Sequence, residues 1–220
     1  VLSSRTAANI ILGTSLLCAV VVTGLVLARE LGWTGSEDSA AVRTPVEPSV
    51  WNAIAGGGHR FGADSGALVI VEFADFQCRF CKRYRDEVLQ PFLTQHGASV
   101  TLVRRHFLLS YHPLARASSL AAECASNQGR LEALHDLMYA LQDSLGLVPF
   151  AQMAEAAAVP DLDEFERCMH HEATARNVDR DMELARLASV RGTPSIFVNG
   201  TRFLPPPSFN ELEWLLKGAK

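Results

Sequence analysis

Hydrophobic and polar positions divide this chain into a few distinct patterns. Thr6 to Ala28 is a run of 23 residues without a charge, bracketed by Arg5 and Arg29. As a helix it would be ~35 Å long, enough to cross a hydrocarbon core of ~30 Å. Residues 7–28 therefore read as one transmembrane helix within an N-terminal anchor, 1–33. A cleaved signal peptide is the alternative, because Val26 and Ala28 occupy the third and first places before Arg29. Against it, the apolar run exceeds the usual ~7–15 residues. Cys18 reads as a small apolar residue in the span, since bulky Leu17 precedes it where a lipoprotein signal has a small residue.

Residues 34–49 are small, polar and Pro-containing, and Gly56-Gly57-Gly58 adds a second break, so 34–58 reads as a linker. Ala67 to Phe73 is a nearly continuous apolar run, the pattern of a strand buried on both faces. A helix from about Cys78 to Gln95 and a strand from Val100 to Arg105 follow. Strand, helix, strand is a βαβ unit, so these two strands should be parallel.

Residues 113–190 read as helical throughout. Pro113 suits a first helical turn, and Gly129 and Gly146 punctuate. Asp161 can cap a helix to about Met169. Val178, Met182, Ala185 and Ser189 share one face of a helix running to about Val190. Ser195 to Val198 is a strand, and Asn199-Gly200 signals a type I′ hairpin returning through Thr201 to Phe203. Ser208 and Glu211 form a capping box for a last helix to about Lys217. The order is βαβ, a helical block, then ββα. One α/β domain, 59–112 and 191–220, is thus interrupted by 113–190.

Composition narrows the function classes. The chain has 220 residues, 20 Lys+Arg against 24 Asp+Glu, and 48% hydrophobic residues. That excludes a disordered chain or a collagenous repeat. The mildly acidic balance, with no basic stretch, argues against a nucleic-acid partner. The five cysteines are informative through their placement.

Cys78-Arg79-Phe80-Cys81 follows the buried strand and opens a helix. A helix N-terminus offers partial positive charge and free N–H groups, which stabilise a thiolate. Arg79, Lys82 and Arg83 add cationic charge. Cys78, nearer the surface, is then the attacking thiol, and Cys81, one turn in, the resolving one. A structural disulfide and half of a zinc site are the alternatives. No second Cys-x-x-Cys or paired-His spacing completes a zinc site, so no metal ligands are assigned. His106, His112, His170 and His171 read as surface or local capping residues. Gly192-Thr193-Pro194 before a strand suggests a fixed turn.

Taken together, Val71-Glu72-Phe73-Ala74-Asp75-Phe76-Gln77-Cys78 through Cys81-Lys82, His112-Pro113, and Gly192-Thr193-Pro194 through Asn199-Gly200 resemble the DsbA-like branch of the thioredoxin superfamily. The resemblance spans about residues 60–217. It implies a thioredoxin-like fold with an inserted helical subdomain capping the active-site face. It also implies a cis Pro194 facing Cys78, with Thr193 tuning the thiolate. Glu72 matches a buried acidic position and would relay a proton for Cys81; alternatively its charge is satisfied by Lys82 or water. Arg79 departs from the Pro that many relatives carry after the first cysteine, so oxidising strength does not transfer.

With Cys78 and Cys81 taken as the redox pair, Cys124 and Cys168 remain, and some DsbA-like proteins bridge this insert. Two buried free thiols are the alternative. A bridge would fit an oxidising compartment. The expected protein is then a membrane-tethered, extracytoplasmic thiol–disulfide oxidoreductase acting on exported client proteins, with no cofactor beyond its redox-active disulfide. The family implies reoxidation by a DsbB/VKOR-like membrane partner. A reductase or isomerase on the same scaffold, or a metal-binding or chaperone module, are the competing readings.

Overall fold

The computed structural model describes residues 20–24, 27 and 42–219, and the chain divides into two compact units, Val1–Ala41 and Val42–Lys220. The expected membrane span falls largely outside the described residues. Among the described residues no helix is long and apolar enough to cross a membrane.

The second unit is built on a six-stranded sheet in the order β1-β6-β5-β3-β4-β2. The strands are β1 (Val42–Pro45), β2 (His59–Gly62), β3 (Leu68–Ala74), β4 (Val100–His106), β5 (Ser195–Val198) and β6 (Thr201–Leu204). β3 and β4 pair in parallel, as the crossover helix between them requires, and every other pairing is antiparallel. Their register sets Glu72 opposite Arg104 and Ala74 opposite His106, while β2 sets His59 opposite Arg104. Side chains alternate faces along a strand. His59, Glu72, Arg104 and His106 therefore share one face of the sheet.

The helices are α1 (Pro48–Ala55), α2 (Arg79–Tyr84), α3 (Gln90–His96), α4 (Ala115–Asn127), α5 (Leu131–Ala140), α6 (Phe150–Ala156), α7 (Leu162–Met169), α8 (Glu172–Leu187) and α9 (Phe209–Gly218). α2 and α3 form one helical run joined by a π-helical turn, Arg85–Leu89, where the sequence had suggested an unbroken helix. Pro91 sits in the first turn of α3, where its missing N–H cannot serve an α-helical bond to the preceding turn.

Three apolar clusters fill the unit. Leu68, Ile70, Leu102 and Ile196 pack under Leu89, Phe92 and Leu212. Val71, Phe73, Val103 and Phe197 pack on the opposite face against Ile54 and Ala185. Phe76, Cys78, Cys81, Tyr139 and Phe165 belong to the core of the helical block. That block has five helices, in the region expected. α8 stops at Leu187, short of Val190, and Ser189 is exposed; Val178 and Ala185 are the fully buried positions of its apolar face.

The linker reading of 34–58 is corrected over its described part. Val42–Pro45 pairs with β6, and Pro48 opens α1, whose Ile54 is fully buried. The prolines that suggested a linker sit at a sheet edge and in a first helical turn, where a missing N–H costs nothing. The glycine break is a fixed turn. Gly58 has φ +72°, and a Cβ there would stand 2.9 Å from Val103 Cγ1. Arg105 closes the turn by donating to the carbonyls of Ile54 (2.6 Å) and Gly56.

Local signals elsewhere hold. Asn199 and Gly200 both have positive φ, as a type I′ hairpin needs. Asp161 caps α7, and Ser208 with Glu211 makes a reciprocal capping box on α9. Cys124 and Cys168 are joined, across 44 residues of sequence, linking α4 to α7. Replacing both with Ala should lower the unfolding free energy by about 2–5 kcal/mol in urea titrations; an unmoved midpoint would show that the bridge contributes nothing.

Candidate active site

The chain leaves β3 at Ala74 and crosses Asp75-Phe76-Gln77 before entering α2. Asp75 is buried and organises this loop. Its Oδ1 accepts from Gln77 N (2.8 Å), its Oδ2 accepts from Leu109 N (3.0 Å), and His112 Nδ1 lies 3.0 Å from Oδ2. The Cys78 N–H donates to the Asp75 carbonyl at 3.0 Å. The helical block holds the loop from the other side. Gln142 Nε2 donates to the carbonyls of Phe76 (2.6 Å) and Cys78 (3.2 Å), and Gln77 Oε1 accepts from Leu114 N (2.6 Å).

Cys78 is the N-cap of α2, with extended backbone, and Cys81 lies within its first turn. Both are free thiols. Cys78 is 4% exposed and Cys81 0%, so the order expected from sequence holds by a narrow margin. The peptide between Thr193 and Pro194 is cis. The Cys78 thiol donates to the Thr193 carbonyl at 3.5 Å. The Thr193 hydroxyl is buried beside it without a hydrogen-bond partner.

The two thiols are driven apart electrostatically. A hydrogen bond from the Cys81 thiol lowers the Cys78 pKa to about 6, against opposing burial, with further help from Thr193 and the N–H groups of Cys81 and Phe80. Burial raises Cys81 well above its ordinary value, and the charges of Cys78 and Glu72 add to the rise. The helix terminus thus acts through directed N–H groups. The cationic neighbours contribute differently from the sequence expectation: Arg79 and Arg83 lie over the exposed Phe80 ring at 5.0 and 5.6 Å. Phe80 borders a cleft of about 470 Å³ that also includes Tyr84, Thr193, Pro194 and Pro205.

Glu72 is 1% exposed and accepts from Arg104 Nε at 2.8 Å. Its charge is satisfied by this arginine, in place of the Lys82 or water considered from sequence. Lys82 Nζ instead donates to the Ala140 carbonyl at 3.5 Å. Arg104 Nη1 donates to His135 Nε2 (2.8 Å), so the His135 proton sits on Nδ1 and is donated to Asp136 Oδ1 (3.0 Å). Burial, aided by the Arg104 charge, lowers His135 to about 3 and keeps it neutral. Arg85 Nη2 completes the network at 2.6 Å from Asp136.

The structure thus brings Cys78, Cys81, Thr193 and Pro194 together, with Glu72 paired behind them. His171 caps α8 through Nδ1 and His170 is exposed, as read from sequence. His106 is not a surface residue: it is 4% exposed and hydrogen-bonds Glu123 Oε1 at 3.1 Å, because β4 carries it into the interior. His112 is half-buried against Asp75. Gln142, Arg104 and His135 were not picked out. Each reaches the site through a partner at least 31 residues away, and no local pattern marks it.

A family model described as thioredoxin matches residues 55–218. The chain belongs to the thioredoxin family. Among solved structures, this thioredoxin-family chain is similar to BdbD from Bacillus subtilis, with TM-score 0.67 and 17% identity over 81% of this chain and 97% of that one. A thioredoxin-like oxidoreductase from Silicibacter pomeroyi DSS-3 gives TM-score 0.66 and 22% identity over 76% and 96%. Wolbachia pipientis alpha-DsbA1 gives 0.62 and 16% over 74% and 91%. The resemblance read from the motifs is borne out in family and fold. Among curated proteins, the Na(+)/H(+) antiporter NhaA 3 of Salinispora tropica is 35% identical over 162 residues, 73% of this chain and 24% of that protein. The chain spans about a quarter of the length of such relatives.

In the reduced protein with Cys18 replaced by Ser, alkylation of Cys78 should follow an ionisation at about 6, with Cys81 unreactive through the same range. Thr193→Val should move that midpoint upward. Folding depresses the Cys78 value, so its ionisation stabilises the dithiol protein above the unfolded-state value, and that stability is lost as pH falls through about 6. An alkylation midpoint near the ordinary thiol value would contradict this geometry.

Proposed function

We propose that the protein is a thiol–disulfide oxidoreductase that donates its Cys78–Cys81 disulfide to client proteins. The observation that carries this reading is the asymmetry of the two thiols beside the cis Thr193-Pro194 peptide. A client thiolate attacks Cys78 Sγ of the disulfide, the Cys78–Cys81 bond breaks, and Cys81 leaves, taking up a proton released by the client thiol. The client's second thiolate then attacks its own sulfur in the mixed disulfide, and Cys78 leaves as a thiolate held by Cys81 and the first N–H groups of α2. Two electrons pass from client to enzyme, and the client gains one disulfide. Thr193 and Pro194 present an extended client chain to Cys78. Glu72, paired with Arg104, acts through its charge on Cys81.

A depressed leaving-group pKa favours the reduced enzyme and hence disulfide donation. At about 6, Cys78 falls between thioredoxin at about 7 and DsbA at about 3.5. Its reduction potential is therefore expected between about −270 and −120 mV.

The Cys124–Cys168 bridge supports an oxidising, extracytoplasmic location, and the uncharged run 6–28 supports a membrane tether. Exported proteins with free thiols are then the clients, and a quinone-linked membrane oxidase the reoxidising partner. Reduction of client disulfides is the second reading, kept because Cys78 is less acidic than in the strongest oxidants.

Equilibration in glutathione buffers tests the direction. A potential at or below about −270 mV would assign a reductase. Cys78→Ser should abolish dithiol oxidation of a reduced client, and Cys81→Ser should leave a stable mixed disulfide on Cys78 that gel electrophoresis without reductant reveals. A Cys78→Ser protein that still oxidises clients would sink the mechanism.

A further inference from the structure

We propose that His59, His106 and Glu123 form a binding site for one divalent transition-metal ion, best matched to Zn2+, that clasps the sheet to the helical block. The site lies outside the dithiol centre and does not depend on the redox reading.

His59 comes from β2, His106 from β4 and Glu123 from α4. Strand alternation and the β2–β4 register turn both imidazoles to the same face, their rings 5.3 Å apart edge to face. Each Nε2 addresses the same carboxylate oxygen. His59 Nε2 lies 2.7 Å from Glu123 Oε1, and His106 Nε2 lies 3.1 Å from it. The three donor atoms all lie within 4.8 Å of one another.

Hydrogen bonding leaves this arrangement incomplete. His106 Nε2 bonds Oε1, but His59 Nε2 is buried, close to the same oxygen, and makes no hydrogen bond. His59 Nε2 and Oε1, 2.7 Å apart but off hydrogen-bonding geometry, are a poorly aligned pair in a largely buried position. A metal ion between the three donors would satisfy both.

The donor chemistry and size agree. Two imidazoles and one carboxylate are a Zn2+ set, with a fourth position left open. Bonds of ~2.0–2.1 Å in a tetrahedron place donors ~3.3 Å apart. The observed 2.7 and 3.1 Å fall short by about 0.6 and 0.2 Å, so His59 and the carboxylate must part by roughly half an ångström to admit the ion.

The outer contacts are also in place. Asn177 Nδ2, from α8, donates to Glu123 Oε2 at 2.9 Å and fixes the carboxylate. A cleft of about 250 Å³, bordered by His59, Glu123, Asn177 and Asp181, provides entry and room for water. Arg105 and Arg180 also border it; the Arg105 guanidinium is paired with Asp181 at 2.5 Å.

The test uses the full chain without a polyhistidine tag, with Cys18, Cys78 and Cys81 replaced by Ser so that no free thiol competes. Zn2+ titration by calorimetry should show one ion per chain and a raised melting temperature. Co2+ should give visible d–d bands with no thiolate charge-transfer band. Asn177→Ala should weaken Zn2+ by about 10–100-fold, and His59→Gln or Glu123→Gln should weaken it at least as much. If Glu123→Gln fails to fold by circular dichroism, His59→Gln decides, since His59 comes from the edge strand β2. Absence of stoichiometric Zn2+ binding, or equal affinity in His59→Gln, would overturn the proposal.

Discussion

The register of the parallel pair β3–β4 is the constraint on which the site depends. It places Glu72 beside Arg104 in the interior. An unpaired carboxylate there would cost several kcal/mol, so a cation must come with it. Arg104 answers that need, stacks over Phe61 at 4.7 Å and hands the network to His135. From His135 it passes to Asp136 and Arg85, reaching the π-helical turn behind the cysteines. A slip of one residue would turn Glu72 and Arg104 to the opposite face and leave the cysteines without this support.

That pairing also decides what Glu72 does. Bonded to a guanidinium, its carboxylate adds to the rise of Cys81, a thiol that burial has already raised. Cys78, one helical turn away at the helix N-cap, receives hydrogen bonds instead. The same short motif thus carries one thiol lowered and one raised in pKa. On the proposed function, this inequality gives thiol–disulfide exchange its direction of attack.

The helical block is part of the site's frame as well as a cap. Gln142 and Leu114 grip the loop that precedes Cys78, while Thr193 arrives from the far end of the insertion. Residues 42–58 complete the fold from the other edge, and Arg105 ties their glycine turn to β4. His59 follows that turn directly, which is how it comes to face His106 and Glu123.

Much of this was legible in the residues because the signals were local. The Cys-x-x-Cys at a helix start, the Asn199-Gly200 turn, the Ser208–Glu211 box and the apolar run of β3 each depend on neighbours within a few positions. Backbone sterics and capping hydrogen bonds act at that range. The partner of Glu72 was not legible, nor was the Gln142 clamp or the cluster of His59, His106 and Glu123. Those pairs are 32, 64 and 17 or more residues apart. Short segments such as β1 and α1 carry too little periodicity to stand out between prolines, and they fold because the sheet edge and core receive them. The sequence by itself determined the elements and the reactive motif. Tertiary structure alone decided which charges meet in the interior, because burial makes an unpaired charge intolerable only once the strands are in register.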